Sequence, residues 1–134
     1  MSIKGLDTNV LVRYIVQDDK KQAKAASVFI RKVSMAGETC FINCIVLCEL
    51  IWVLESAYDF PRKDIVDVCD MILRIKQFEI EDRDIVHSAL LAYRKGKGDF
   101  ADHLIGRINQ VHGCDMTVTF DQSLKKQDGF IILS

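Results

Sequence analysis

Five acidic residues stand where carboxylates are costly. Asp7 ends the short apolar start Ile3-Lys4-Gly5-Leu6. Glu49 is the only charge in the apolar run from Cys44 to Leu54. Asp99 and Asp102 open a helix-like segment just after Gly96-Lys97-Gly98. Asp121 ends the strand-like run from Met116 to Phe120. Carboxylates rarely enter apolar surroundings unless they are paired or bind a cation. Several that converge make a site for hard divalent metals, and oxygen-only ligands suit Mg²⁺ or Mn²⁺ better than zinc. Two such ions can activate a water and stabilise the leaving oxygen in phosphodiester cleavage. The pattern points to a metal-dependent hydrolase.

Each acid also has a plainer reading. Asp7, in Leu6-Asp7-Thr8-Asn9, is equally placed to cap the next helix, with Asn9 free to orient Asp7 or a bound water. Glu49 lies in a helix with little polar face, so it is expected to be buried. Unpaired, it would cost several kcal/mol, and a salt bridge to a core Arg is its alternative to a metal. Asp99 and Asp102 are first-turn acids favoured by the helix dipole. Their i, i+3 spacing also puts both on one face. Asp102 precedes His103-Leu104-Ile105, which reads as the seam between helix and sheet. Asp121 fits a turn as well as a site.

The charges and thiols around these acids divide similarly. Arg94-Lys95-Gly96-Lys97-Gly98 puts three cations just before Asp99. Such a run is usually a solvated loop, but beside an acidic site Arg94, Lys95 and Lys97 become candidate phosphate-backbone contacts. Lys125 and Lys126 are placed for the same role after Asp121. His87, His103 and His112 form no HxH or HxxxH pair and read as surface or satisfied core residues. Cys40, Cys44 and Cys48 recur every four residues without a CxxC pair, and read as buried apolar cysteines rather than ligands.

These side chains need elements to position them. Residues 2–6 read as a short buried strand, followed by helices over 8–16 and 20–35. In the second helix Ala23, Ala26, Phe29, Ile30 and Val33 form one apolar face, and Gly37 fits its stop. A strand is expected over 39–42. Asn43 is then placed to cap a helix over 44–58 that is apolar nearly all round. Pro61 marks the start of a helix running to about residue 76. Strand 78–80 follows, then Asp82 as a cap for helix 83–94, with Ile85, Ala89, Leu90 and Tyr93 facing in. Residues 95–98 form a loop, 99–112 a helix stopped by Gly113, and 116–120 and 130–133 the last strands. Alternating short apolar strands and helices imply βα units and a mostly parallel sheet of four or five strands. Ligands bind beyond the carboxyl ends of such strands, where Asp7 and Asp121 fall.

The bulk numbers bound the answer. With 134 residues, the chain is expected to form one domain over 1–134. A hydrophobic fraction of 49% excludes broad disorder, and a formal net charge of -1 announces no nucleic-acid partner by itself. No apolar run is long enough to span a bilayer, and the start MSIKGLDTN lacks the apolar segment of a secretory leader. The expectation is a soluble cytoplasmic protein without membrane contact. The odd count of five cysteines argues against a disulfide scaffold.

Four stretches together resemble a PIN domain, and within that family the VapC-type toxin ribonucleases. They are LDTNVLVRYIVQDD at 6–19, CELIWVLES at 48–56, GDFADHLIGRIN at 98–109 and VTFDQSL at 118–124. The resemblance covers nearly the whole chain and implies a three-layer α/β/α sandwich. It also implies a Mg²⁺- or Mn²⁺-dependent endoribonuclease, a VapB-like antitoxin that blocks the site, and a homodimer. By the same resemblance Asp7 and Glu49 match the first two acids of the family. Asp102 matches the acid of the third motif, Asp99 adds a ligand one turn before it, and Asp121 matches the last acid. Asn9 and Thr119 match supporting polar positions. No acid is missing, and His103 stands where a small residue is common. Cleavage would leave a 5′-phosphate and a 3′-hydroxyl.

Two rivals belong to other classes. One is a PIN-fold interaction module without catalysis. The other is an aspartyl-phosphate receiver or phosphotransfer domain. Asp18-Asp19 resembles its acidic pair but follows a helical segment rather than a strand.

Overall fold

The computed structural model describes residues 2–134. Backbone contacts group them into two compact units, one ending at Glu81 and the other Asp82–Ser134. Both alternate helices with parallel strands, the α/β class expected from the sequence.

The first unit holds β1 (Ile3–Gly5), α1 (Thr8–Val16), α2 (Lys20–Met35), β2 (Thr39–Ile42), α3 (Cys44–Ser56), α4 (Arg62–Arg74) and β3 (Phe78–Ile80). Its sheet has the order β1-β2-β3, all parallel, with Ile3 opposite Thr39 and Cys40 opposite Phe78. Each strand-to-strand step is a pair of helices, long enough for the crossover that parallel pairing demands. The second unit holds α5 (Arg83–Lys95), α6 (Phe100–Val111), β4 (Thr117–Thr119), a short 3₁₀ turn (Gln122–Leu124) and β5 (Phe130–Ile132). β4 and β5 pair in parallel, with Thr117 opposite Phe130. The strands expected in one sheet thus form two hydrogen-bonded ladders of three and two.

Local chemistry accounts for most helix ends. Asn43 Oδ1 accepts from Val46 N at 2.9 Å, the cap expected of it. A second acceptor is present, since Cys44 N donates to Glu81 Oε1 at 2.8 Å. That carboxylate also suits the positive end of the α3 dipole. Gly37 takes φ +68 after α2, and Glu38 N then donates to Val33 O at 3.0 Å. This is a left-handed stop that most side chains resist. Asp82 occupies the cap position of α5 with φ 49, but its side chain makes no capping bond, contrary to expectation. Its left-handed backbone does not present the side chain as an extended cap residue does.

Burial departs from the sequence reading in three places. β1 is exposed along its length and only the following Leu6 is buried, whereas β3 at the other edge of the ladder buries Phe78 and Ile80. Phe29 is exposed although its neighbours Ala26, Ile30 and Val33 are buried. In α5, Val86 is buried and Ile85 only half-buried.

The cysteines are all free. Cys40, Cys44 and Cys69 are buried, Cys48 half-buried and Cys114 exposed. Burial, with Asp70 nearby, pushes the Cys69 thiol up to about 12, so it stays a packed, unreactive thiol. His87 and His112 are exposed, while His103 is buried.

Asp18 and Asp19 hold the turn between α1 and α2. Asp19 Oδ1 caps α2 by accepting from Gln22 N at 3.0 Å. Asp18 accepts from Tyr58 Oη at 2.8 Å and from Arg13 Nη1 at 3.1 Å. This pair is therefore engaged in a turn, not at a strand end where a phosphoaspartate would sit. The Tyr58 hydroxyl, and then the Arg13 charge, hold the Asp18 carboxyl below its usual range. A depressed acid stabilises the fold above the ordinary carboxylate range, and that gain is lost as pH falls through its lowered value. Asp18→Asn is expected to lower the melting temperature slightly at pH 7, and the difference from the parent should shrink as pH falls below the ordinary carboxylate range. Thermal melts of both proteins across this range check it.

Candidate active site

In the first unit the site residues gather around Thr8. Leu6 N donates to Phe41 O at 3.0 Å, which carries the β1–β2 ladder one residue further and fixes where Asp7 begins. Asp7 Oδ1 accepts from Thr8 N at 2.8 Å, so the capping reading holds. The buried Thr8 then donates its hydroxyl to Glu49 Oε1 at 2.6 Å. One threonine thus ties both carboxylates. Glu49 is exposed rather than buried, a correction with a geometric cause. It shares an α3 face with Ile45 and Trp52, at i, i+4 and i+7, which are 72% and 68% exposed. The buried positions of α3 are on its other faces. Among the described residues no Arg forms an ion pair with Glu49. Among the described residues the donor to the Asp7 side chain is Thr8 N, not Asn9. Asn9 lines a cleft of about 480 Å³ together with Arg13 and Phe29.

In the second unit three acids cluster at the start of α6 and the end of β4. Asp99 is the residue before α6, and its N–H donates to Asp102 Oδ2 at 3.2 Å. Gly98 precedes it at φ +95. A Cβ there would meet Leu124 Cδ2 at 2.5 Å, so only glycine lets the loop deliver Asp99. Asp121 starts the 3₁₀ turn, and its Oδ1 accepts from Ser123 N at 2.9 Å and Ser123 Oγ at 2.7 Å. Thr119 fixes the backbone here, accepting from Asp121 N at 3.1 Å. His103 is satisfied by the loop. Its Nε2 donates to Lys97 O at 2.7 Å and its ring meets Phe130 edge-to-face at 6.4 Å.

The electrostatics of this cluster are uneven. Burial first, and then the charges of Asp99 and Asp121, push the Asp102 carboxyl up, against the Asp99 N–H. Asp121 moves the other way, held down by the Ser123 hydroxyl and amide, with a hydrogen bond to Asp102 adding to them. Asp102 and Asp121 are therefore a coupled carboxyl pair in which Asp102 is the one inclined to keep a proton. Such a pair is relieved by a proton or by a cation.

One oxygen of each of four acids is tied by a protein donor: Asp7 Oδ1, Glu49 Oε1, Asp102 Oδ2 and Asp121 Oδ1. That orients the carboxylates and leaves the second oxygens to a neighbour or a metal. Among the described residues, no three His, Cys, Asp or Glu side chains are already drawn into one metal cage. On donor chemistry the fit is to a hard divalent cation, because every candidate ligand is a carboxylate oxygen.

The PIN domain family matches residues 5–129. The chain belongs to the PIN domain family. A VapC ribonuclease of Aquifex aeolicus (strain VF5) is 31% identical over 124 residues, covering 92% of this chain and 91% of that protein.

This PIN domain also uses residues that sequence patterns did not single out. Thr8 and Glu49 are 41 positions apart, so their hydrogen bond is invisible to local spacing. Ser123 was legible in principle, since a hydroxyl two residues after an Asp commonly closes such a turn. Arg94, Lys95 and Lys97 are exposed, as solvated or RNA-facing cations must be. No helix is long and apolar enough to cross a membrane among the described residues.

Proposed function

We propose that this PIN domain, taken as one domain over 1–134, is a Mg²⁺- or Mn²⁺-dependent endoribonuclease and the toxin of a toxin–antitoxin pair. The observation that carries this reading is the Asp99–Asp102–Asp121 cluster, where partial burial and then the charges of Asp99 and Asp121 raise the Asp102 carboxyl while Ser123 holds Asp121 ionised. A fold that only needed a capped helix would gain nothing from that repulsion. The relationship to a VapC ribonuclease supports the same chemistry.

Asp7, Asp99 and Asp102 are assigned as metal ligands. Glu49 and Asp121 complete the donor set or orient water. A bound Mg²⁺ or Mn²⁺ would supply the charge that acidifies a water and offsets the negative charge gathering on the phosphate. The protein's part is positioning. Thr8 holds Glu49 and Asp7 by one oxygen each, Ser123 holds Asp121, and the Asp99 N–H holds Asp102 by its Oδ2. Asn9 and Thr119 support the acids, and Arg94, Lys95 and Lys97 contact the RNA backbone. The cell compartment is the cytoplasm. A VapB-like antitoxin and a homodimer complete the assignment, both resting on the family relationship.

The test is cleavage of a pooled structured RNA by the purified, antitoxin-free protein. Cleavage with Mg²⁺ or Mn²⁺ that stops in EDTA is expected. A folded protein that cuts no RNA with either metal would overturn the reading.

A further inference from the structure

The second unit encloses a cavity of about 250 Å³ away from the acids. It is bounded by the end of α5, one face of α6 and the segment leading into β5. Two cations line it, Lys95 and Arg107, against one acid, Asp128. Two glutamines, Gln110 and Gln127, add amides.

Arg107 is the unusual member. Its Nε is buried and has no hydrogen-bond partner, while its Nη1 donates to Gln110 Oε1 at 3.2 Å. Leaving a charged donor unsatisfied inside a protein is costly, and a methionine of similar length would avoid it. A ligand acceptor would repay the cost. Two of its walls are glycines, against which Phe130 and Gln127 pack closely. A Cβ on Gly106 would meet Phe130 Cζ at 2.7 Å, and one on Gly96 would overlap the Gln127 amide.

The lining specifies the ligand. Guanidinium and ammonium groups bind phosphate, and a guanidinium plane or a Phe ring also stacks on a base. Glutamine amides carry both a donor and an acceptor, which is what a base edge needs. The volume lies just below that of ordinary small-molecule sites, so it admits one nucleotide and no duplex. Arg107 also lies only about 7.5 Å further along α6 than Asp102, at about 1.5 Å per residue. Five positions at about 100° per residue also turn Arg107 about 140° round α6 from Asp102, so the cavity is separate from the acids.

We infer that this cavity is a nucleotide subsite, which holds one unpaired nucleotide of single-stranded RNA through Arg107, Lys95 and the Gln127 amide. The inference rests on the nuclease reading above and adds a determinant of which RNAs are chosen.

The test is fluorescence anisotropy with a 5′-fluorescein single-stranded RNA 12-mer of randomised sequence, in EDTA so that nothing is cut. Arg107→Met is expected to weaken binding by about tenfold and to lower the slope of log Kd against log salt by about one. Its melting temperature should equal or exceed the parent's, which a merely structural arginine would not allow. Parental affinity and salt slope in Arg107→Met would overturn the inference. If that variant does not fold, Lys95→Met and Gln127→Ala decide: loss of affinity in both supports the subsite, and parental binding in both overturns it. The two readings fail differently. A parent protein that neither binds nor cuts RNA ends both, whereas a parent that cuts RNA, with an indifferent Arg107→Met, ends only the subsite.

Discussion

Asp7→Asn is expected to lower metal-dependent RNA cleavage by about a thousandfold or more while leaving the fold intact. The expected loss is roughly 4 kcal/mol of transition-state stabilisation, at about 1.4 kcal/mol per tenfold, which is within the several kcal/mol a metal centre supplies. The structural side of the prediction follows from the cap. Asp7 Oδ1 accepts from Thr8 N, and an Asn oxygen accepts the same bond. Asn and Asp are equally good N-caps, so α1 should form as before. What Asn lacks is the charge on the second oxygen. Steady-state cleavage and a thermal melt separate the two roles. An Asp7→Asn protein as active as the parent would remove Asp7 from the chemistry.

Asp102→Asn is expected to separate activity from stability even more sharply. The Asp102 carboxyl is pushed up by burial and by Asp99 and Asp121. An acid whose folded pKa is raised binds its proton more tightly in the native than in the unfolded state. Stability therefore falls as pH rises from the ordinary carboxylate range through the raised value, and the penalty is fully present at neutral pH. Asn removes the charge that is penalised. The metal-free melting temperature at pH 7 should be unchanged or higher, while cleavage falls by about a hundredfold or more. The rise in melting temperature that Mg²⁺ gives the parent should shrink as well. A variant that melts well below the parent would mark Asp102 as a structural acid, and one that keeps its activity would remove it from the metal site.

Much of the scaffold was legible because helix ends carry local chemistry. α1 and α2 begin after Asp7 and Asp19, whose side chains accept from the first free N–H groups, and α3 after Asn43. β2 and β3 fall where short β-branched and aromatic runs predicted them. That Asp7 and Asp121 stand just past strand ends was legible from the same run boundaries. What was not legible depends on packing. α3 is apolar on every side, so periodicity could not say which face is covered, and Glu49 proved to share the exposed one. β1 reads as a buried strand from Ile3 and Leu6, but which strand faces are covered is decided by packing, and β1 is exposed while β3 is buried. The division of the strands into two ladders, the Thr8–Glu49 bond and the buried Nε of Arg107 are tertiary facts with no local signature.

The chemistry of the cut ends tests the central claim most directly. Purified protein is incubated with pooled RNA in Mg²⁺, in Mn²⁺ and in EDTA, and the new termini are identified. Carboxylates that hold a divalent ion should direct water at the phosphorus. The account predicts metal-dependent fragments with 5′-phosphate and 3′-hydroxyl ends, absent in EDTA. Fragments ending in a 2′,3′-cyclic phosphate, formed equally well in EDTA, would show that the 2′-hydroxyl and not a metal-activated water attacks, and would contradict it.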